Sequence, residues 1–236
     1  MNNLGGAFSS TAIQEAWEIF ISELPMALWE TVYVTVIATA FAILIGLPLG
    51  MLLVAGEKNG IYPLPSLLMK IVNVVINLLR SIPFLILMVM VIPLTRLIVG
   101  TAVGTKASIV PLVVAAFPFV ARLVESSLRE VSPNIIETAQ SMGATPLQIL
   151  LRVMLPESVP SLISNFTIAI TTILSYTAMS GAVGGGGLGK IAITYGYNRY
   201  KYAVLLMAVI FLIALVQVFQ SLGTYLAAKC DKRLKK

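Results

Sequence analysis

Histidine is absent from this chain and cysteine occurs once, as Cys230. Those absences exclude an internal disulfide, a His-based metal site and an imidazole general base, and leave Cys230 as a plain reduced thiol. Charge is scarce too: 11% of residues are charged while 58% are hydrophobic, against about 25% and 45–50% in an ordinary soluble domain. The chain therefore belongs in a bilayer. Aspartate is missing before Asp231 and no glutamate falls in the middle of an apolar run, which argues against a secondary transporter, since ion coupling needs an intramembrane carboxylate or ion site. No Lys or Arg precedes Lys58, so the basic start of a secretory signal peptide is lacking and no processing is expected.

What the chain has in quantity is uncharged length. Thr31 to Ala55, Leu162 to Val183 and Ala203 to Ala228 are free of charge throughout, whereas Ser81 to Leu94 and Ala107 to Ala121 are shorter and must borrow flanking residues to reach the roughly 20 residues a crossing needs. An all-α integral membrane protein with five crossings follows, at about 30–55, 68–93, 105–124, 158–180 and 203–227. Glu15, Glu18, Glu23 and Glu30 stand without a base before the first crossing, while Lys229, Lys232, Arg233, Lys235 and Lys236 crowd the end against Asp231. The positive-inside tendency puts the N-terminus outside and the C-terminus in the cytoplasm of a multi-pass cell-membrane protein, although Lys190, Arg199 and Lys201 then fall in an outer loop. The chain divides into an outer N-terminal segment (1–29), a membrane domain (30–228) and a basic cytoplasmic tail (229–236).

In the N-terminal segment Ile13, Trp17, Phe20, Ile21 and Leu24 recur at helical spacing. They predict either an amphipathic helix lying at the interface or a helix packed on the first crossing. Arg80 is the most embedded charge of the second crossing, and is either functional or close enough to the surface for its guanidinium to snorkel. The stretch Gly184 to Ile191, GGGGLGKI, fits a phosphate-binding loop except for its final residue. A true P-loop follows a strand, opens a helix and carries a Ser or Thr for magnesium. Here Ile191 replaces the hydroxyl and a polar crossing precedes the glycines. A tight turn at the outer end of the fourth crossing, part of an outer gate, is the better expectation.

Residues 125–157 form the one polar stretch long enough to do work on the cytoplasmic side. Ser132-Pro133 starts a short helix, Gly143 supplies a left-handed end, Thr145-Pro146 starts a second helix and Leu155-Pro156 closes it. Helices this short are unstable alone, so Ile135, Ile136, Ala139, Met142, Leu147, Leu150 and Met154 need partners, while Glu137 and Gln140 stay available to another protein. This loop, ETAQSMGATPLQILLRVMLPE, resembles the EAA loop of ABC importer permeases, with Glu137, Ala139, Gly143, Leu155 and Pro156 in the pattern's positions and Thr138 replacing its first alanine. GLPLG at 46–50, RSIPF at 80–84, IPLTRLIVGT at 92–101, IVPL at 109–112 and GAVGGGGLG at 181–189 extend the similarity to the MetI-like methionine-uptake permeases.

The resemblance implies a type I ABC importer permease fold with cytoplasmic coupling helices, and a homodimer joined by two cytoplasmic ATPase subunits and an extracytoplasmic methionine-binding protein or lipoprotein. It implies a non-catalytic subunit: this chain binds no cofactor, ATP and magnesium belong to the ATPase, and no nucleic acid is involved. Glu137, Ala139, Gln140, Gly143 and Pro156 would couple to the ATPase, whose closure on ATP would pull the loop inward and tilt the crossings attached at Glu125 and Pro160. The fourth crossing carries Ser164, Thr167, Thr171 and Ser175 on one face beside a stripe of Asn165, Thr172, Tyr176 and Met179. Such hydroxyls serve close helix packing or line a mildly polar path, and the resemblance puts Tyr176 and Met179, with Ser175 and Thr172 nearby, at the gate. A permease for another amino acid or small organic ion remains the main alternative, ahead of a secondary transporter or a membrane scaffold.

Overall fold

The computed structural model describes residues 10–58 and 60–231, without the side chains of residues 10–13 and 15. The expectations for Ile13, Glu15 and the basic residues from Lys232 onward lie outside it. Regular structure among the described residues is helical throughout. Helix α1, Ser10–Ala55, runs 46 residues without a break, about twice the length needed to cross the hydrocarbon at ~1.5 Å per residue. The N-terminal segment, from Ser10 on, and the first crossing thus belong to one continuous helix. Pro25 and Pro48 sit inside it, as prolines can where neighbouring helices support the backbone.

After α1 come α2 (Ser66–Ser81), α3 (Phe84–Met90), α4 (Ile92–Val99), α5 (Ile109–Arg129) and α6 (Pro133–Ser141). Then follow α7 (Pro146–Gln148), a π-helical stretch (Ile149–Met154), α8 (Leu155–Glu157), α9 (Val159–Ser180), a 3₁₀ turn (Gly181–Val183), α10 (Gly187–Ile191), a second π stretch (Ala192–Tyr197) and α11 (Tyr202–Cys230). Four helical segments are long and apolar enough to cross alone, Ala16–Ala55, Ile109–Arg129, Val159–Val183 and Tyr202–Cys230, and α2 with α3 makes a fifth if the bent pair counts as one span. The expected second crossing is therefore broken. Ile82 is extended (φ −80°, ψ 126°) because the ring of Pro83 clashes with a helical predecessor and Pro83 has no N–H to continue the ladder.

The chain divides into two compact units, one from the described parts of Met1–Thr39 with Phe84–Val113 and Ile170–Phe219, the other from Ala40–Pro83, Val114–Ala169 and the described part of Gln220–Lys236. In the first unit Ala16, Phe20 and Ala27 of α1 bury against Leu188, Ile191, Val204 and Ala208, with Leu24 packed at the margin. The Phe20 and Phe211 rings lie 5.2 Å apart. Trp17 and Ile21 face away, 56% and 53% exposed. Of the amphipathic stripe read from sequence, then, Phe20 and Leu24 pack on α10 and α11, while Trp17 and Ile21 form an outer face. Thr31, Thr35 and Thr39 are buried and donate their hydroxyls to the carbonyls of Ala27, Thr31 and Thr35, so each hydroxyl proton is satisfied within α1.

In the second unit Leu53 of α1, Met69 and Ile76 of α2 and Ala121 of α5 share a core. Gly46 and Gly50 let α1 approach α5: a Cβ on Gly50 would sit 2.6 Å from Cβ of Val124 and from the Ala121 carbonyl. Gly223 of α11 meets Thr167 of α9 in the same manner. Small residues at such contacts are how membrane helices gain packing where burial gives no hydrophobic gain. A polar clasp adds to this. Arg122 donates to Glu125 (2.7 Å), Asn73 (2.7 Å) and Asn77 (3.0 Å), so α5 is tied to α2. Arg129 donates to Glu125 (2.8 Å) and to Glu57 beyond the end of α1 (3.0 Å).

Candidate functional site

The sequence residues assigned to coupling lie on the short helices between α5 and α9. Pro133 occupies the first turn of α6 as expected, but the Ser132 hydroxyl makes no capping bond. Gly143 has φ +79°, the left-handed geometry that ends a helix, and the N–H groups of Gly143 and Ala144 close the turn on the carbonyls of Gln140 (2.9 Å) and Ala139 (3.1 Å). A Cβ placed on Gly143 would meet nothing within 4 Å, so glycine is favoured there by conformation alone. At Thr145 a full capping box forms: its Oγ1 accepts from the Gln148 N–H and the Gln148 side chain accepts from the Thr145 N–H.

Downstream of that cap the helix widens into the π stretch, in which the Leu155 N–H reaches the carbonyl of Leu150. Pro156 lacks a donor and sits in the first turn of α8; Ser158 then marks the entry to α9, with its N–H on Met154 (3.0 Å). Of the apolar positions that needed partners, Met154 is 2% exposed and Ala139 half-buried, whereas Ile135 (39%), Met142 (83%) and Leu147 (65%) stand open. Ile149, 1% exposed, carries burial that the sequence reading did not give it. Glu137, Gln140, Gly143 and Pro156 are exposed. The segment is a structured elbow with an unpartnered apolar and polar face.

On α9 the hydroxyl stripe divides by role. Asn165 donates to Ser127 (2.7 Å) and to the Leu123 carbonyl (3.2 Å), and Ser161 donates to Ser127 (3.1 Å), so these polar groups join α9 to α5. Ser164, Thr167 and Ser175 donate back to carbonyls one turn earlier. Thr167 is packed at Gly223. Higher on the helix Tyr176 stacks flat on Phe84, ring centroids 4.6 Å apart and planes 4° from parallel. Phe84 directly follows the Pro83 break, so the break delivers a buried ring to Tyr176. Met179 is 40% exposed, Ser175 is exposed and Thr172 is half-buried.

The glycine segment resolves against a nucleotide. Gly184 (φ +87°) and Gly187 (φ +77°) are left-handed, and the N–H groups that open α10 are already taken: Gly187 donates to Glu30 Oε2 (2.7 Å) and Leu188 to Thr31 Oγ1 (2.9 Å). The other Glu30 oxygen accepts from the Thr105 hydroxyl (2.8 Å). A carboxylate of α1 thus occupies the anion position at this helix start. A side chain on Gly186 would run into Thr105 and Glu30. Glu30 entered the sequence reading only as an outer charge and Thr31 only as the start of an uncharged run, and neither they nor Thr105 had a role at the glycines there, because only the fold brings them together.

Comparison with known proteins agrees with this architecture. Residues 46–232 match the family of binding-protein-dependent transport system inner membrane components. A probable D-methionine transport system permease protein MetI of Vibrio cholerae is 49% identical over 219 residues, covering 92% of this chain and 96% of the relative. The D-methionine transport system permease protein MetI of Escherichia coli K12 is 45% identical over 67% of this chain and 72% of its own. A solved inward-facing MetNI methionine ABC transporter superposes with a TM-score of 0.88 at 42% identity, over 91% of this chain and 99% of that one. With those matches over most of its length, a helical membrane architecture and the elbow between α5 and α9, the chain belongs to the inner-membrane permease components of binding-protein-dependent ABC importers.

Proposed function

We propose that this chain is the membrane-spanning subunit of an ATP-driven methionine importer, which forms the pathway and couples it to a separate ATPase. The observation that carries the proposal is the elbow between α5 and α9: a glycine-set turn that presents Met142 (83% exposed) and Leu147 (65% exposed) beside exposed Glu137 and Gln140. Apolar side chains held out on ordered helices are what a docking partner covers. Methionine is the substrate that the names of the similar permeases support.

In this reading two copies of the chain pair, two ATPase subunits seat on the coupling faces, and a methionine-binding protein delivers substrate from outside. The N-terminus faces out and the basic tail faces the cytoplasm. ATP-driven closure pulls α6 and the Gly143 elbow inward; α5 and α9 follow through the bonds of Asn165 and Ser161 to Ser127, and Pro156 fixes the exit into α9. Tyr176, held by Phe84, and half-exposed Met179 form the gate, with Ser175 and Thr172 as its mildly polar wall. A thioether is a soft plug, flexible enough to move aside. The glycine segment, stapled by Glu30, forms part of the outer gate.

Reconstitution with the cognate ATPase and binding protein tests the whole. Uptake of labelled methionine should require ATP and should be competed by methionine, not by polar amino acids. Equal competition by polar amino acids would favour a permease for another amino acid, and uptake without ATP would overturn ATP coupling. In the same vesicles Met179→Ala should raise ATP-independent leak of methionine several-fold, and an unchanged leak would remove Met179 from the gate.

A further inference from the structure

A groove of about 560 Å³ opens between α1 and the loop that precedes α5, floored by Met26, Trp29, Tyr33 and Val103 and edged by Glu30 and Lys106. We propose that it is a binding site for a zwitterionic phospholipid of the ethanolamine type, with the phosphodiester on Lys106 and the ammonium directed at Glu30. The site stands on the membrane character of α1 and does not depend on which substrate the permease carries.

Depth in the bilayer comes first. Glu18, Glu23 and Glu30 precede the charge-free run of α1 that begins at Thr31, so the groove lies where hydrocarbon gives way to head groups. Trp29 and Tyr33 straddle that boundary, stacked with ring centroids 6.5 Å apart, in the position where amphipathic rings settle at a membrane interface. Met26, Trp29 and Val103 are 62%, 65% and 63% exposed, an apolar floor that acyl chains can cover and water cannot stabilise. The volume suits a head group and glycerol, with the chains leaving along α1.

Charge then selects the head group. Lys106 is exposed and no carboxylate pairs with it among the described residues. Its ammonium offers a phosphate three donors. Each Glu30 oxygen already accepts one hydrogen bond, from Gly187 and from Thr105, yet a carboxylate has about four acceptor directions, so each oxygen keeps one. A cation and an anion in one groove match a phosphate and a primary ammonium on one molecule. A glycerol head group supplies no cation for Glu30, and a choline head group supplies no N–H to donate.

The test uses the full-length chain extracted from its membrane in mild detergent with the subunits that co-purify, titrated with phosphatidylethanolamine, phosphatidylglycerol or phosphatidylcholine and read by native mass spectrometry. Wild type should retain the ethanolamine lipid most tightly. Lys106→Ala should lose about tenfold in that affinity, the scale of one charge-assisted hydrogen bond, while Lys106→Arg should keep most of it. Lys106 is a surface side chain, and an unchanged lipid-free unfolding midpoint would establish that Lys106→Ala is folded. Equal retention by wild type and Lys106→Ala, or equal affinity for all three head groups, overturns the proposal.

Discussion

At the scale of single residues, conformation and proximity decide what can be replaced. Gly143 has open space around it but a positive φ, so an alanine there costs only the left-handed penalty of about 1–2 kcal/mol, asparagine less and valine more. If that elbow transmits force, methionine carried per ATP hydrolysed should fall in the order Gly, Asn, Ala, Val at position 143, while ATPase activity persists. Equal transport efficiency in all four would detach the elbow from coupling. Glu30 is the opposite case, a residue fixed by its contacts. Glu30→Ala strands the Gly187 N–H and the Thr105 hydroxyl and should destabilise the chain by about 1–3 kcal/mol. Glu30→Gln, which keeps one acceptor oxygen, should lie between that variant and wild type when unfolding midpoints are compared in detergent. The two residues also differ in legibility. Gly143 announces itself through Thr145-Pro146 close behind it, whereas Glu30 is 157 positions from its partner and carries no local mark.

Among the elements, the expected crossings were readable from charge-free runs: α9 and α11 follow them closely, while α5, Ile109–Arg129, lies about one turn later than the expected 105–124. Two features departed from a simple hydropathy reading for identifiable reasons. The charge-free crossing begins only at Thr31 because Glu23 and Glu30 precede it, yet neither glutamate opposes helix formation, so the expected N-terminal helix and the crossing join into one helix through them. The second crossing breaks because Pro83 acts on the backbone whatever the polarity around it. Helix contacts were less legible still. The polar stripe that holds Asn165 was open to packing or to a path, and the two bonds of Asn165 to α5 assign it to packing. The α1–α5 contact supplies its own test: Gly50→Ala puts a methyl against Val124 and the Ala121 carbonyl, and overpacking of this kind costs about 1–3 kcal/mol. A lowered unfolding midpoint is expected, while Gly104→Ala, in open space but at φ +109°, should cost conformational strain alone.

For the whole molecule, the candidate coupling face is the feature with the widest reach. Ile135, Met142 and Leu147 are not needed to hold α6 and α7 in place, because Ile149 and Met154 supply the buried contacts. Met142→Ser combined with Leu147→Ser should therefore leave the unfolding midpoint of the isolated chain unchanged and lower its recovery in complex with the ATPase by about tenfold, given that a few central apolar side chains dominate most interfaces. Normal recovery of the complex would place the docking face elsewhere. The same exposed side chains bear on supply and demand inside the cell. A copy made in excess of its partner keeps an uncovered apolar face, which is the kind of surface that chaperones hold and proteases clear. The number of working importers would then be set by the scarcer subunit, and balanced synthesis of the two would be a requirement written into Met142 and Leu147.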